Sequence, residues 1–489
     1  MIDFKGERKA LFLLGVLLVF FILSCSKNGG GTAPAPAPAP SPTPTPVPDT
    51  VVSVTVDQAH PNYVIPVSFQ GFSYEITTLS TYPAYLNATN TVLIQLMKNL
   101  GSGVIRLGGN SSDATTWTGI ARNTNTPANS ITTTEVDNLA GFSKALGWQV
   151  LFGLNMGIYD TAKAANEAVY VANSLQNNLL ALQFGNEPDG YHSWNPVRTS
   201  TYGEANYETE WNNYFTAVHS RIPSAPLAGP DVAYLSSWVA SFANNESKNI
   251  KLLSSHYYQN GPSGSPGINI SWLFTPIPQY PNYFTVINGA SISSGLPWRI
   301  TECNSINNGG QTGVSDVFAS ALWGLDFMWN VAENGGSGVN FHGGTGGAYS
   351  PIVNSGGVAV PKPLYYAFLA FKYGAVGGTV LPAVLGASKY SVSAHACNFN
   401  AAPAITLINK ETTQSMTFNV QVTNKYTTIH IARLSAPSIS STTGVSFCNN
   451  IVSPNGAFTV GSTEDHSIGS ANTFSVTLPA ASAAVITMQ

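Results

Sequence analysis

Along residues 66–374, short runs of β-branched and aromatic residues alternate with longer stretches whose apolar positions recur every three or four residues. The short runs are 67–74, 104–107, 149–154, 181–184, 227–229, 251–256, 298–301 and 338–342. They are mostly continuous rather than alternating, the pattern of parallel strands buried on both faces. Helical patterns such as 90–100, 133–146, 161–175, 204–222 and 316–332 separate them. This rhythm predicts an α/β fold, a (β/α)8 TIM barrel over residues 65–374. An open doubly wound sheet is the competing arrangement, but no Gly-x-Gly-x-x-Gly follows the first strand. From residue 375 the period changes to two. Segments 389–393, 404–408, 416–422, 427–434, 473–478 and 484–488 are separated by Gly, Pro, Asn and Ser turns. They predict a C-terminal all-β sandwich over 375–489. Residues 51–56 show the same alternation, and 51–64 are expected to add a strand to it.

The chain begins differently. Lys5, Arg8 and Lys9 precede an apolar run over 11–23, shorter than the roughly 20 residues of a membrane span and suited to the core of a signal peptide. It ends Ile22-Leu23-Ser24-Cys25, which resembles a bacterial lipobox. Residues 1–24 are then the leader, and Cys25 is the acylated first mature residue. Within the linker 25–50, proline occupies every second position from 34 to 48, holding the chain near polyproline II. At about 3.1 Å per residue it spaces a folded body roughly 50 Å from a membrane. The expectation is an exported monomer, lipid-anchored in the cell envelope.

Composition narrows the chemistry. Apolar residues make up 44%, enough to build sizeable cores. Charged residues are only 9%, against about 25% in typical soluble proteins, and the net charge is −4 with no basic block. Electrostatic binding to nucleic acid is excluded. Such a surface fits neutral or weakly acidic polar ligands. Cys397 and Cys448 share the C-terminal region and are candidates for pairing in an oxidising compartment, while Cys303 is left over. Neither Cys-x-x-Cys nor His-Glu-x-x-His occurs, so no metal site and no cofactor are expected.

In a barrel the residues that end the strands converge on one rim. Here they are Tyr74-Glu75, the stretch from Arg106 to Asn110, Asn155-Met156, Asn186-Glu187-Pro188-Asp189, Gly229-Pro230-Asp231, His256-Tyr257-Tyr258, Glu302-Cys303-Asn304 and His342-Gly343-Gly344. With so few carboxylates, glutamates ending strands four and seven carry information. Glycosidic bond cleavage needs two carboxyl groups flanking the bond, one to deliver a proton and one ionised. Glu187 is assigned as acid/base and Glu302 as nucleophile. Arg106 is placed to hold Glu302 ionised, and Asn186 to bond a sugar 2-hydroxyl. His256 and His342 are assigned supporting roles. At least one of Tyr257 and Tyr258 lines the pocket, with Tyr257 assigned to substrate. Trp194 and Trp298 are read as core residues.

Val-Ile-Arg-Leu-Gly-Gly-Asn (104–110), Phe-Gly-Leu-Asn (152–155), Phe-Gly-Asn-Glu-Pro (184–188), His-Tyr-Tyr-Gln-Asn-Gly (256–261) and Ile-Thr-Glu-Cys-Asn-Ser followed by Asn-Asn-Gly-Gly (300–310) are similar to glycoside hydrolase family 79. That family contains heparanases and bacterial and fungal β-glucuronidases. The resemblance implies that a glucuronic acid carboxylate is held by amides at Asn308 and Gly309 and by Tyr349, with Glu75 and Asn110 at sugar hydroxyls. A Gly-rich loop can aim successive amides at an anion without a cation. Sulfated polymers need basic clefts, and no Lys/Arg cluster stands near a strand end. The resemblance therefore implies an exo-β-glucuronidase acting on glucuronic-acid-containing glycans, with tolerance of 4-O-methylation open. An endo-acting heparanase- or hyaluronidase-like hydrolase and a catalytically inactive glycan-binding lipoprotein are the alternatives.

Overall fold

Eight parallel strands close into a barrel in chain order: β1 (Gly71–Glu75), β2 (Val104–Gly108), β3 (Gln149–Leu154), β4 (Leu179–Phe184), β5 (Leu227–Val232), β6 (Leu252–Asn260), β7 (Trp298–Ile306) and β8 (Val339–Gly343). The computed structural model describes residues 50–275, 282–399 and 402–489. The leader, Cys25 and the proline-rich linker lie outside the described residues. Every expected barrel strand is present, with bounds that shift most in β1, β6 and β7. β1 starts at Gly71, because Phe69 closes a turn onto Pro66 and Val67 is exposed. β6 and β7 run on to Asn260 and Ile306, because residues 256–260 keep pairing with 302–306 beyond the barrel's closure. Glu302 consequently sits within β7 rather than at its end.

Two irregularities shape the barrel near its rim. Asp231 is unpaired between Pro230↔Ser254 and Val232↔Ser255, and Thr301 between Ile300↔Ser255 and Glu302↔His256. Bulges of this kind re-aim side chains beside functional sites. Here they turn Thr301 and Asp231 toward each other, and Thr301 Oγ1 donates to Asp231 Oδ1 at 2.5 Å.

Thr50–Gln489 form one compact unit. Beyond the barrel lies a nine-stranded mixed sheet. Val51–Val56 runs parallel to the first part of the long strand Met416–Ser435, whose second part pairs with Ser482–Met488. Val392–Phe399 and Ala402–Asn409 do not pair with Val51–Val56, yet Ala396, Leu407, Val54 and Phe418 share one apolar core. The sheet therefore folds over on itself as a sandwich. Its other face, with Ala404, Ile408 and Val485, packs on the barrel's core. The helices Phe318–Glu333 and Pro363–Gly374 are buried on almost every side, as two-faced packing requires. Trp298 is fully buried in this core. The three described cysteines are free. Cys397 Sγ donates to the Gly374 carbonyl and Cys448 Sγ to that of Gly461, so the candidate pair is not formed.

The junction also holds a buried charge cluster. His395 lies 2.8 Å from Glu333 and 2.9 Å from Asp326, Lys410 reaches Asp326 at 2.7 Å, and the His395 ring stacks on Trp329. Burial alone would lower the His395 pKa, but Glu333 and Asp326 carry it up to about 9. A raised folded-state pKa stabilises fully below the ordinary histidine value of about 6.5 and loses that contribution as pH rises through the folded value. The Tm of His395→Gln is expected to fall several degrees below wild type at pH 6, with the gap narrowing by pH 10. Equal gaps at both pH values would refute the linkage.

Candidate active site

Arg106 of β2 organises the rim from below. It is fully buried, and its inward-facing guanidinium has a partner on every nitrogen. Nη1 donates to Glu302 Oε2 at 2.6 Å and to Ser73 Oγ at 3.0 Å. Nη2 donates to Asp231 Oδ2 at 2.6 Å and Asn186 Oδ1 at 2.7 Å, and Nε to Gln183 at 3.3 Å. One cation thus ties together β1, β4, β5 and β7. Burial opposes its charge, but Asp231 and Glu302 overcome that and raise its pKa.

Glu302 receives two further contacts. Tyr258 donates to Oε1 at 2.7 Å, and His342 Nδ1 lies 3.3 Å from Oε2. Burial would push this carboxyl up; the neighbouring His342, His256 and Arg106, with the Tyr258 hydroxyl, hold it well below the usual glutamate range. Asp231 is likewise held low against burial by Arg106 and His256. His256, fully buried on β6, bridges the two carboxylate systems: Nε2 lies 3.1 Å from Asp231 and Nδ1 2.9 Å from Glu187 Oε1. Burial works against its charge, but Asp231 and Glu302 carry its pKa up to about 10.

Glu187 follows β4 with φ 48°, a left-handed conformation that a non-glycine residue adopts only when its surroundings hold it. Its amide donates to the Asp231 carbonyl at 3.0 Å. Just before it, Asn186 donates its amide to Asp113, whose buried carboxylate also takes the amides of Met156 and Gly157 and the Tyr191 hydroxyl. Asp113 thereby pins the ends of β3 and β4 together. Asp231 (φ 61°) and Asn308 (φ 59°) are also left-handed, so three strained residues cluster at one rim. One carboxylate oxygen of Glu187 and one of Glu302 lie within 4.8 Å of each other.

These two glutamates line one open cleft with Glu75, Asn110, Trp194, Tyr234, Tyr258, Asn307, Asn308, Gly309, His342 and Tyr349. Among the described residues that line it there is no lysine or arginine. Glu75 accepts from the Ser111 amide and hydroxyl, and its carboxylate fills the space a Cβ would need at Gly109 (φ 72°). Asn186 lies beneath the cleft, donating to Asn110 at 3.1 Å while accepting from Arg106. Gly309 and Tyr349 stand together on the cleft wall, where the Tyr349 amide reaches the Gly309 carbonyl at 3.4 Å. Burial raises the Tyr349 pKa, which keeps the phenol protonated. Asn307 Oδ1 is buried with no partner among the described residues.

Two assignments from sequence are corrected. Tyr257 packs against Tyr283, Phe284 and Phe327, and its hydroxyl donates to Gln259. Strand side chains alternate, so with His256 directed inward the next inward residue is Tyr258. Trp194 is not core: it is 43% exposed, lines the cleft and donates to Glu187 Oε2 at 3.2 Å. Asp231, Asp113 and Ser73 were not singled out. Asp231 had a signal, as a scarce carboxylate in a rim ending; Asp113 and Ser73 had none.

No family model matches the chain. A β-glucuronidase of Neurospora crassa is 27% identical over 387 residues, 65% of this chain and 65% of that protein. One from Aspergillus niger is 26% identical over 307 residues, 54% of this chain and 56% of the relative. The chain thus spans less than two thirds of either relative. Among solved structures, the 4-O-α-L-rhamnosyl-β-D-glucuronidase of Fusarium oxysporum 12S superposes with a TM-score of 0.72 at 18% identity, covering 89% of this chain and 100% of that one. A family 51 arabinofuranosidase from Xanthomonas axonopodis pv. citri gives 0.69 at 17%, covering 90% and 99%. These likenesses establish the fold, a barrel with an attached β domain.

Proposed function

We propose that the chain is a retaining β-glucuronidase that releases terminal β-D-glucuronic acid from glycans. The observation that carries this reading is that one carboxylate oxygen of Glu187 lies within 4.8 Å of one of Glu302, with Glu302 held ionised by Arg106, His342 and Tyr258. Retaining enzymes place these groups about 5–5.5 Å apart, whereas inverting ones leave about 6.5–9.5 Å for a water. Glu302 attacks the anomeric carbon as Glu187 gives its proton to the departing glycosidic oxygen, so the C–O bond to the leaving group breaks as the bond to Glu302 forms. Glu187, now a carboxylate, takes a proton from water, whose oxygen displaces Glu302. His256, between Asp231 and Glu187, keeps the acid/base oriented through both steps.

Two features support glucuronic acid as the released sugar. Gly309 and Tyr349 line the cleft together, and a backbone amide beside a protonated phenol suits a carboxylate. The relatives found by sequence are β-glucuronidases. A cleft wall without lysine or arginine disfavours a sulfated polymer and favours exo action.

The test is turnover of an aryl β-D-glucuronide, followed by NMR of the sugar first released. Release of the β anomer is expected. Turnover of a neutral aryl glycoside with none of the glucuronide would end the substrate reading. The α anomer appearing first would end the retaining one.

A further inference from the structure

The cleft's mouth carries a feature that the donor sugar leaves unused. Trp194 and Tyr234 stand side by side with ring centroids 5.2 Å apart and planes inclined at 32°, and they are 43% and 44% exposed. Four other tryptophans, Trp148, Trp211, Trp298 and Trp329, are fully buried. The exposed pair is nevertheless held in place. The Trp194 ring lies over Gly190, where a Cβ would come within 2.1 Å of it, and its Nε1 bonds Glu187. The amides of Ala233 and Tyr234 donate to the buried carboxylate of Asp189, two residues after Glu187. The acid/base loop and the aromatic wall therefore form one assembly.

An acid that protonates a glycosidic oxygen stands on the leaving-group side of the bond. The ring that contacts Glu187 Oε2 therefore borders the leaving group, whereas Gly309 and Tyr349 stand with Tyr258 beside Glu302. We infer that Trp194 and Tyr234 form a stacking platform for the first residue of the leaving group, a neutral pyranose. The inference rests on the proposed glucuronidase reading. A sugar ring presents flat apolar faces that match an aromatic surface, and its hydroxyls stay in water at this open rim. The ring is neutral because the described residues lining the cleft include no lysine or arginine and do include the carboxylates of Glu75, Glu187 and Glu302.

The test compares two substrates: a disaccharide of glucuronic acid β-linked to galactose, and β-D-glucuronosyl fluoride, whose leaving group is a single atom. Trp194→Ala and Tyr234→Ala are each expected to lower the disaccharide-to-fluoride ratio of kcat/KM about tenfold, mainly through the disaccharide KM. Trp194→Phe keeps a ring but loses the N–H, and is expected to hold the disaccharide KM within about twofold of wild type. An unchanged ratio in both alanine variants, with fluoride turnover intact, would overturn the platform and leave the glucuronidase reading standing. If wild type turns over neither glucuronide, the glucuronidase reading fails. The same ratio is then measured with the fluoride and galactoside of whichever sugar the enzyme does release, and decides the platform on its own.

Discussion

Glu302→Gln is expected to lose turnover by on the order of 10⁴-fold or more on an aryl β-glucuronide while remaining folded. The amide is nearly isosteric with the carboxylate. Its oxygen can still accept from Arg106 or Tyr258, and Asp231 still neutralises the guanidinium. What disappears is the anionic oxygen that bonds the anomeric carbon. Steady-state kinetics and a melting curve on the same preparation separate the two effects: kcat collapses and Tm stays within a few degrees. Wild-type-like turnover by this variant would remove Glu302 from the chemistry, and a catalytically inactive sugar-binding protein would then be the better description.

Arg106→Met is expected to produce the largest change in stability together with a shifted pH profile. It leaves Glu302 and Asp231 buried without their shared cation, and breaking a buried pair in this way costs about 3–5 kcal/mol. In wild type both carboxyls have lowered pKa values. Their stabilising contribution is therefore full above the ordinary carboxylate range and is lost as pH falls toward the folded values. The variant should lose much of that contribution at neutral pH. Removing a positive neighbour also raises the pKa of Glu302, because the charged form loses its main hydrogen-bonded counter-ion. The acid limb of kcat/KM should then move to higher pH. Melting temperature and a pH–rate profile check the two parts, and an acid limb that does not move would show that Arg106 acts on the fold alone.

The barrel strands were legible because each is a continuous apolar run bounded by turn residues, a signal written locally in the chain. Glu187 and Glu302 were legible because a sequence with 9% charged residues leaves few carboxylates at strand ends. The single-slot error at Tyr257 has a different origin. Inward and outward positions alternate with period two, so β6 turns inward either His256 and Tyr258 or Tyr257 alone. The contacts of His256 with Asp231 and Glu187, made across the barrel, decide for the first set.

The order of strands, the change of period near residue 375 and the identities of the two glutamates are properties of the chain read in one dimension. The joint hold of Arg106 on Glu302, Asp231 and Asn186, the placing of His256 between two carboxylates, and the exposure of Trp194 belong to the folded molecule. These contacts join residues 80, 125 and 196 positions apart. Only closure of the barrel brings them within hydrogen-bond distance, and burial then makes each surrounding charge decide which groups stay ionised.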